Sequence, residues 1–151
     1  MRTKVNEISI SYHQKVKNDI RVNIKSSQDA ADYLRNIWNP DTLNIHETFM
    51  VIMLNNANYV NGYYTLSTGG INSTCVDIRI LFAIVLKSLS TSIILAHNHP
   101  SGNLKPSEAD KTLTQKVVKA GKLFDIQTLD HIILSPENKY FSFADESLLQ
   151  T

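Results

Sequence analysis

Two of the five histidines in this chain, His97 and His99, stand one residue apart at the end of the apolar run Ser92-Ile93-Ile94-Leu95-Ala96. On an extended chain, residues at i and i+2 point to the same side, roughly 6–7 Å apart along the backbone. Two imidazoles so placed can converge on one ion at about 2.0–2.1 Å, the usual Zn–N distance. Pro100 then ends the strand, Ser101-Gly102 permits a sharp turn, and the chain meets Ser107-Glu108-Ala109-Asp110 at a helix start. A third ligand from that helix would complete a facial set and leave a fourth position open for water, as catalytic zinc sites do and structural ones do not. Each feature also has a plainer reading. Ser107 at an N-cap with Asp110 three residues later is a capping box in its own right, and two histidines at a strand end can be merely exposed polar residues.

Taken together, His97-Asn98-His99, then Ser107, then Asp110 resemble the His-x-His-x7-Ser-x2-Asp signature of the JAMM/MPN metallohydrolases. The fuller wording, HNHPSG followed by PSEAD and KTLT up to Thr114, is similar to the RadC-like branch of that superfamily. Glu47-Thr48-Phe49, Thr68-Gly69-Gly70 and Asp130-His131-Ile132 extend the likeness over residues 45–142.

The resemblance implies a zinc-dependent hydrolase of amide bonds, peptide or isopeptide, with one Zn²⁺ per chain held by His97, His99 and Asp110. It assigns Glu47 to take a proton from the attacking water and pass it to the leaving amine. It assigns Ser107 to hydrogen-bond the water or the developing oxyanion. Residue types alone do not separate Glu47 from Glu7, Asp77 or Asp130. The family is associated with DNA repair through a helix-hairpin-helix region that precedes the domain in longer members. No glycine occurs here before Gly62, so the tight glycine hairpin of that region is not expected, and a nucleic-acid partner is only weakly supported.

Asp130 and His131 are neighbours on an apolar segment, and neighbours on a strand face opposite sides. At most one of them is expected at the site. Three roles stay open for the pair: structural polar residues, contacts behind the ligands or to substrate, and a direct ligand. His13 and His46 have no partner at ligand spacing and are expected to be ordinary surface or edge residues.

Other functions are less well supported. A metal-dependent nuclease for DNA processing or mobile elements would favour a second ion about 3.5–4 Å from the first, and no second carboxylate cluster is visible. A non-catalytic module stabilised by its metal would explain the ligands but not the complete signature. A (β/α)₈ barrel hydrolase typically needs about 250 residues.

The elements that must position these groups are legible in outline. At 151 residues, 42% hydrophobic and 19% charged, the chain suits one globular domain over 1–151, with 1–44 a divergent N-terminal extension within it. A formal charge of +1 marks no dedicated nucleic-acid binder. Lys105, Lys111, Lys116, Lys119 and Lys122 read as a solvated helix face, with steering of an acidic partner as the sharper alternative. The single Cys75 makes no internal disulfide, fits a reducing cytoplasm, and is expected to be a small buried or helix-entry residue. No apolar leader or membrane-length run occurs, so a cytoplasmic protein is expected, with a peptide or protein substrate, no membrane partner, and a homodimer contact among the uses open to 1–44.

Alternation predicts strands over 5–16 and 20–24 and a helix after Ser26-Ser27-Gln28-Asp29, with Ala30, Ala31, Leu34, Ile37 and Trp38 on its apolar face. A doubly apolar strand over 47–54 turns at 55–58 into a returning strand over 59–67. Thr74 to Asp77 reads as a capping box for a helix over 76–89. A buried strand over 92–97, a helix from 106 or 107 to 120 stopped by Gly121, a hairpin of 128–134 with 140–143, and a tail helix over 145–149 complete the chain. The fold class is α/β (α+β), MPN/JAMM-like and hence cytidine-deaminase-like: a mixed, mostly antiparallel sheet with helices packed on it.

Overall fold

Thr48–Leu54 is buried at all seven positions and forms β1, a strand with apolar side chains on both faces that calls for cover on both. The computed structural model describes residues 5–7, 9, 11–17, 20–69 and 75–150. Asn55 closes the turn after β1, its side-chain oxygen accepting from the Ala57 and Tyr59 amides at 3.0 Å each. The chain returns antiparallel as β2, Val60–Thr68. On the other side of β1 lies β3, Ser92–Asn98, also antiparallel and also buried throughout. β4, Gln127–Leu134, runs parallel to β3, and β5, Tyr140–Ser142, pairs antiparallel with β4. The order is β2-β1-β3-β4-β5, so the expected mixed, mostly antiparallel sheet is present.

Alternation along the central strands divides the core in two. Met50, Ile52, Leu54, Ile94, Ala96, Ile132 and Leu134 face α1, Ser27–Ile37, which presents Ala30, Ala31 and Leu34. Phe49, Val51, Met53, Ile93 and Leu95 face the opposite layer, built from α2, Ile78–Lys87, and α3, Glu108–Leu123. Three layers result, and each fully buried Leu, Ile or Val contributes about 1.5–3 kcal/mol. Arg35 of α1 reaches the β4–β5 turn, donating to the carbonyls of Ser135 at 3.2 Å and Lys139 at 2.7 Å.

Several expectations are corrected. Among the described residues of 5–17 and 20–24 there is no strand, only an isolated bridge from Asn23 to Tyr59. Of the described residues there, Val5, Val16, Ile20 and Val22 are exposed and Ile24 joins the core; Ile8 and Ile10 lie outside the described residues. α2 begins at Ile78, not at 76, and Asp77 is its cap, accepting from the Arg79 amide at 2.9 Å; Thr74 and Gly70 lie outside the described residues. Cys75 is exposed and not buried.

Gly121 does not stop α3, which runs on to Leu123. It is required instead by close approach, since a Cβ there would lie 2.6 Å from the Ile126 carbonyl oxygen. The tail over 145–149 is a set of turns, not a helix; Ser147 at φ 58° breaks any helical path, and the Leu148 amide bonds back to the Phe143 carbonyl at 2.8 Å. No helix among the described residues is long and apolar enough to cross a membrane.

Candidate metal centre

Phe49 on β1 stands opposite His97 on β3, so the sheet face that carries the α2–α3 core also carries His97 at its end. Asn98 points to the other face and His99 returns to the first, as the period of two requires. The His99 amide donates to the Leu134 carbonyl at 2.9 Å, holding His99 in line with the strand even where ladder pairing stops. The chain then turns, with the Gly102 amide on the His99 carbonyl at 3.0 Å and Gly102 itself at φ 82°, a conformation that favours glycine.

The turn delivers α3 with its N-terminus at the two imidazoles. Ser107 is the N-cap and the capping box is complete: its Oγ accepts from the Asp110 amide at 3.0 Å, and Asp110 Oδ2 accepts from the Ser107 amide at 2.7 Å. The cap does not compete with chemistry. It holds the Asp110 carboxylate so that Oδ1 lies 3.3 Å from His97 Nε2 and Oδ2 lies 3.6 Å from His99 Nε2. The two Nε2 atoms are 2.9 Å apart. Three ligand atoms of a tetrahedral zinc with bonds near 2.0–2.1 Å would sit about 3.3 Å from one another. The approaches between the two Nε2 atoms and to the two carboxylate oxygens, 2.9, 3.3 and 3.6 Å, lie near that value, and one donor atom from each of the three residues falls within 4.8 Å of the others, so the set could hold one small divalent ion.

Glu47, one residue before β1, lines the same groove as His99, Ser107 and Asp110, a cavity of about 800 Å³. It is held from both sides by Asn98. The Asn98 side-chain oxygen accepts from the Thr48 amide at 2.7 Å, and its amide nitrogen donates to the carbonyls of His46 at 3.0 Å and Leu43 at 2.7 Å. Cys75, Val76, Asn103 and Lys105 also line the groove.

The ionisable groups of the site shift one another. Burial raises the Asp110 carboxyl, but the His97 and His99 imidazoles outweigh it and hold Asp110 far below the usual carboxylate range. Burial likewise pulls His99 down, yet the Asp110 carboxylate, the Asn103 carbonyl and Glu47 leave it raised overall. Glu47 is raised by burial, against the opposing pull of His97 and His99.

Behind the three candidate ligands lies a second row of buried groups. His131 on β4 has Nε2 2.7 Å from His97 Nδ1, and its own Nδ1 is 2.6 Å from Thr114 Oγ1 on α3. Burial, with His97 adding to it, holds His131 well below the usual imidazole range. Phe143 stacks on His131 with centroids 4.6 Å apart, and Phe49 lies stacked against His97 at 5.9 Å.

Asp130 faces the other way. It accepts from Ser142 Oγ at 2.6 Å, the Ala144 amide at 2.9 Å and the His131 amide at 2.7 Å, which ties β4 to the chain after β5. The structure thus brings His97, His99, Asp110, Ser107, Glu47 and His131 to one place and leaves Asp130 on the α1 face. His46 is half-buried with Nδ1 3.5 Å from Thr48 Oγ1.

Sequence reasoning gave no role to Asn98 or Thr114. Asn98 had a usable signal, a polar side chain aimed into the α1 face of a fully buried strand, which must find partners. Thr114 offered a weaker one, a hydroxyl one helical turn beyond Asp110 on the buried side of α3.

A family model described as RadC-like JAB domain matches residues 24–148. A UPF0758 protein of Flavobacterium johnsoniae is 50% identical over 103 residues, 68% of this chain and 44% of the relative. A UPF0758 protein of Chlorobaculum tepidum is 34% identical over 131 residues, 87% of this chain and 57% of the relative. The UPF0758 protein YfjY of Escherichia coli is 45% identical over 103 residues, 68% of this chain and 64% of the relative. The chain spans about half the length of the first two.

Proposed function

This chain belongs to the RadC-like JAB domain family, and on that premise we propose that it is a zinc-dependent hydrolase of amide bonds in a peptide or protein substrate. The observation that carries the reading is the convergence of His97 Nε2, His99 Nε2 and the Asp110 carboxylate at the wall of a groove that Glu47 also lines.

In this proposal His97, His99 and Asp110 hold one Zn²⁺. When bound, the ion supplies Lewis acidity, making a water nucleophilic near neutral pH and polarising a carbonyl. Glu47 accepts the proton of the attacking water and delivers it to the departing amine. Its raised carboxyl suits it to both halves of that transfer, since an ordinary carboxylate is a weak base. Ser107 Oγ already accepts the Asp110 amide, which leaves its own proton free to donate to negative charge developing on the substrate oxygen. Buried Phe49 beside His97 keeps water from the back of the site.

Among the described residues, His97, His99 and Asp110 form the one three-ligand cluster, which supports a single ion rather than a paired-ion nuclease. The test is hydrolysis of a peptide library derived from a bacterial proteome, read by mass spectrometry of the new termini. The zinc-loaded protein should generate cleavage products that Glu47→Gln, equally loaded, does not. Products formed at the same rate by Glu47→Gln would remove Glu47 from the reaction. A loaded wild type that cleaves neither peptides nor isopeptide-linked conjugates would count against the hydrolase itself.

A further inference from the structure

Thr114, His131 and His97 form a buried chain in which the Thr114 hydrogen bond to the Asp110 carbonyl orders the protons when both imidazoles are neutral. Thr114 Oγ1 lies 2.7 Å from the Asp110 backbone carbonyl, one turn earlier on α3, and that oxygen can only accept. The hydroxyl has one proton, and this contact uses it. At the 2.6 Å contact with His131 Nδ1, Thr114 must therefore accept, so the proton there belongs to His131. A neutral imidazole carries one N–H, which leaves His131 Nε2 as an acceptor. Its partner at 2.7 Å is His97 Nδ1, which must then be the donor. With its one proton on Nδ1, a neutral His97 turns an unprotonated Nε2 toward Asp110 and toward His99 Nε2, 2.9 Å away, at which it can only accept.

The opposite assignment is self-defeating. Were Thr114 to donate to His131, the proton of His131 would sit on Nε2 and point at His97 Nδ1. His97 would then carry its own proton on Nε2, the atom that faces the ligand cluster, and could not coordinate through it. The setting favours a single state. Thr114, His131 and His97 are 0%, 0% and 2% exposed, so water is shut out as an alternative partner. Phe143 and Phe49 cover the two rings without offering a competing hydrogen bond. His99 is oriented independently, its Nδ1 donating to the Asn103 carbonyl at 2.5 Å so that Nε2 is the nitrogen turned to the cluster.

We propose that Thr114, acting through His131, is a positioning residue that keeps the proton of His97 on Nδ1 and so makes Nε2 the metal-ligating atom. The proposal rests on the reading of His97 as a ligand. It also gives α3 two duties one turn apart: Asp110 supplies a ligand, and Thr114 sets the tautomer of another.

The test uses the full chain with ¹⁵N-labelled histidine and three forms: wild type, Thr114→Val and Thr114→Ser. In metal-free wild type, nitrogen chemical shifts should report protonated Nδ1 and unprotonated Nε2 on both His97 and His131. Zinc affinity, measured against a chromophoric chelator, should fall about 10–100-fold in Thr114→Val, the usual range for loss of a group that orients a ligating histidine. Thr114→Ser keeps the hydroxyl and should restore both affinity and shifts. A proton on His97 Nε2 in metal-free wild type would overturn the proposal, as would wild-type zinc affinity in a folded Thr114→Val. Should Thr114→Val not fold, the wild-type shifts and the Thr114→Ser affinity decide. A wild type that binds no zinc but shows the expected shifts would sink the hydrolase reading and leave the proton assignment standing.

Discussion

Asn98 grips the backbone on both sides of Glu47, accepting from the Thr48 amide at 2.7 Å and donating to the His46 carbonyl at 3.0 Å. The middle residue of His97-Asn98-His99 thus faces away from its neighbours and ties the segment bearing Glu47 to the strand bearing the imidazoles. Asn98→Leu keeps the volume and removes all three hydrogen bonds. It leaves a buried Thr48 amide without its partner, at a cost of about 1–3 kcal/mol. Urea denaturation should show that loss, and zinc content should be unchanged while turnover falls. Full turnover in Asn98→Leu would mean that Glu47 keeps its place without this clamp.

Ser107 has a structural duty separable from its proposed chemical one. Ser107→Asp retains a good cap, and Ser107→Ala loses one, at about 1 kcal/mol of stability. If the Oγ proton serves the reaction, both substitutions should lower turnover sharply, although only Ser107→Ala should lower the thermal midpoint. Turnover that follows stability alone would reduce Ser107 to a cap.

Gly121 is predicted to be intolerant of any side chain. A Cβ at 2.6 Å from the Ile126 carbonyl oxygen meets backbone, which moves less readily than a side chain end. Gly121→Ala should destabilise the fold by about 1–3 kcal/mol, despite the better helix propensity of alanine. A stabilised variant by calorimetry would contradict the close approach of α3 to the start of β4.

The pH response should change sign when zinc is added. In metal-free protein the His99 imidazole is raised above its ordinary 6.5, so its contribution to stability is complete below that pH and lost as pH rises through the folded value. The lowered carboxyl of Asp110 contributes above its ordinary 3.8 and is lost only in strong acid. Zinc requires His99 without its extra proton, so binding releases one and strengthens as pH rises. Between pH 6 and 8 the thermal midpoint of metal-free protein should carry a falling contribution from His99, while the upward shift on zinc addition should grow. A zinc-induced shift that is constant or shrinks across that range would be inconsistent with His99 as a ligand.

Much of this was legible in the sequence because single residues carry it. The i, i+2 histidines announce a strand end with both rings on one side, and six apolar residues in a row at 49–54 require a central strand. Ser26 and Ser107 were readable as caps, since each accepts the amide of the third residue beyond it. The N-terminal alternation misled because a period of two is necessary for a half-buried strand but does not supply a neighbour to pair with. Gly121 misled because a glycine near a helix end serves equally well for a left-handed cap or for close packing, and only the approach of Ile126 tells which. The chain from Thr114 through His131 to His97 was out of reach, for it joins α3, β4 and β3 through side chains 17 and 34 residues apart.

Metal content tests the central claim most directly. Protein prepared with zinc in excess and then desalted should hold about one zinc per chain, and His99→Ala and Asp110→Ala should each hold almost none. Wild-type protein free of zinc after that treatment, or both variants retaining a full equivalent, would contradict the account.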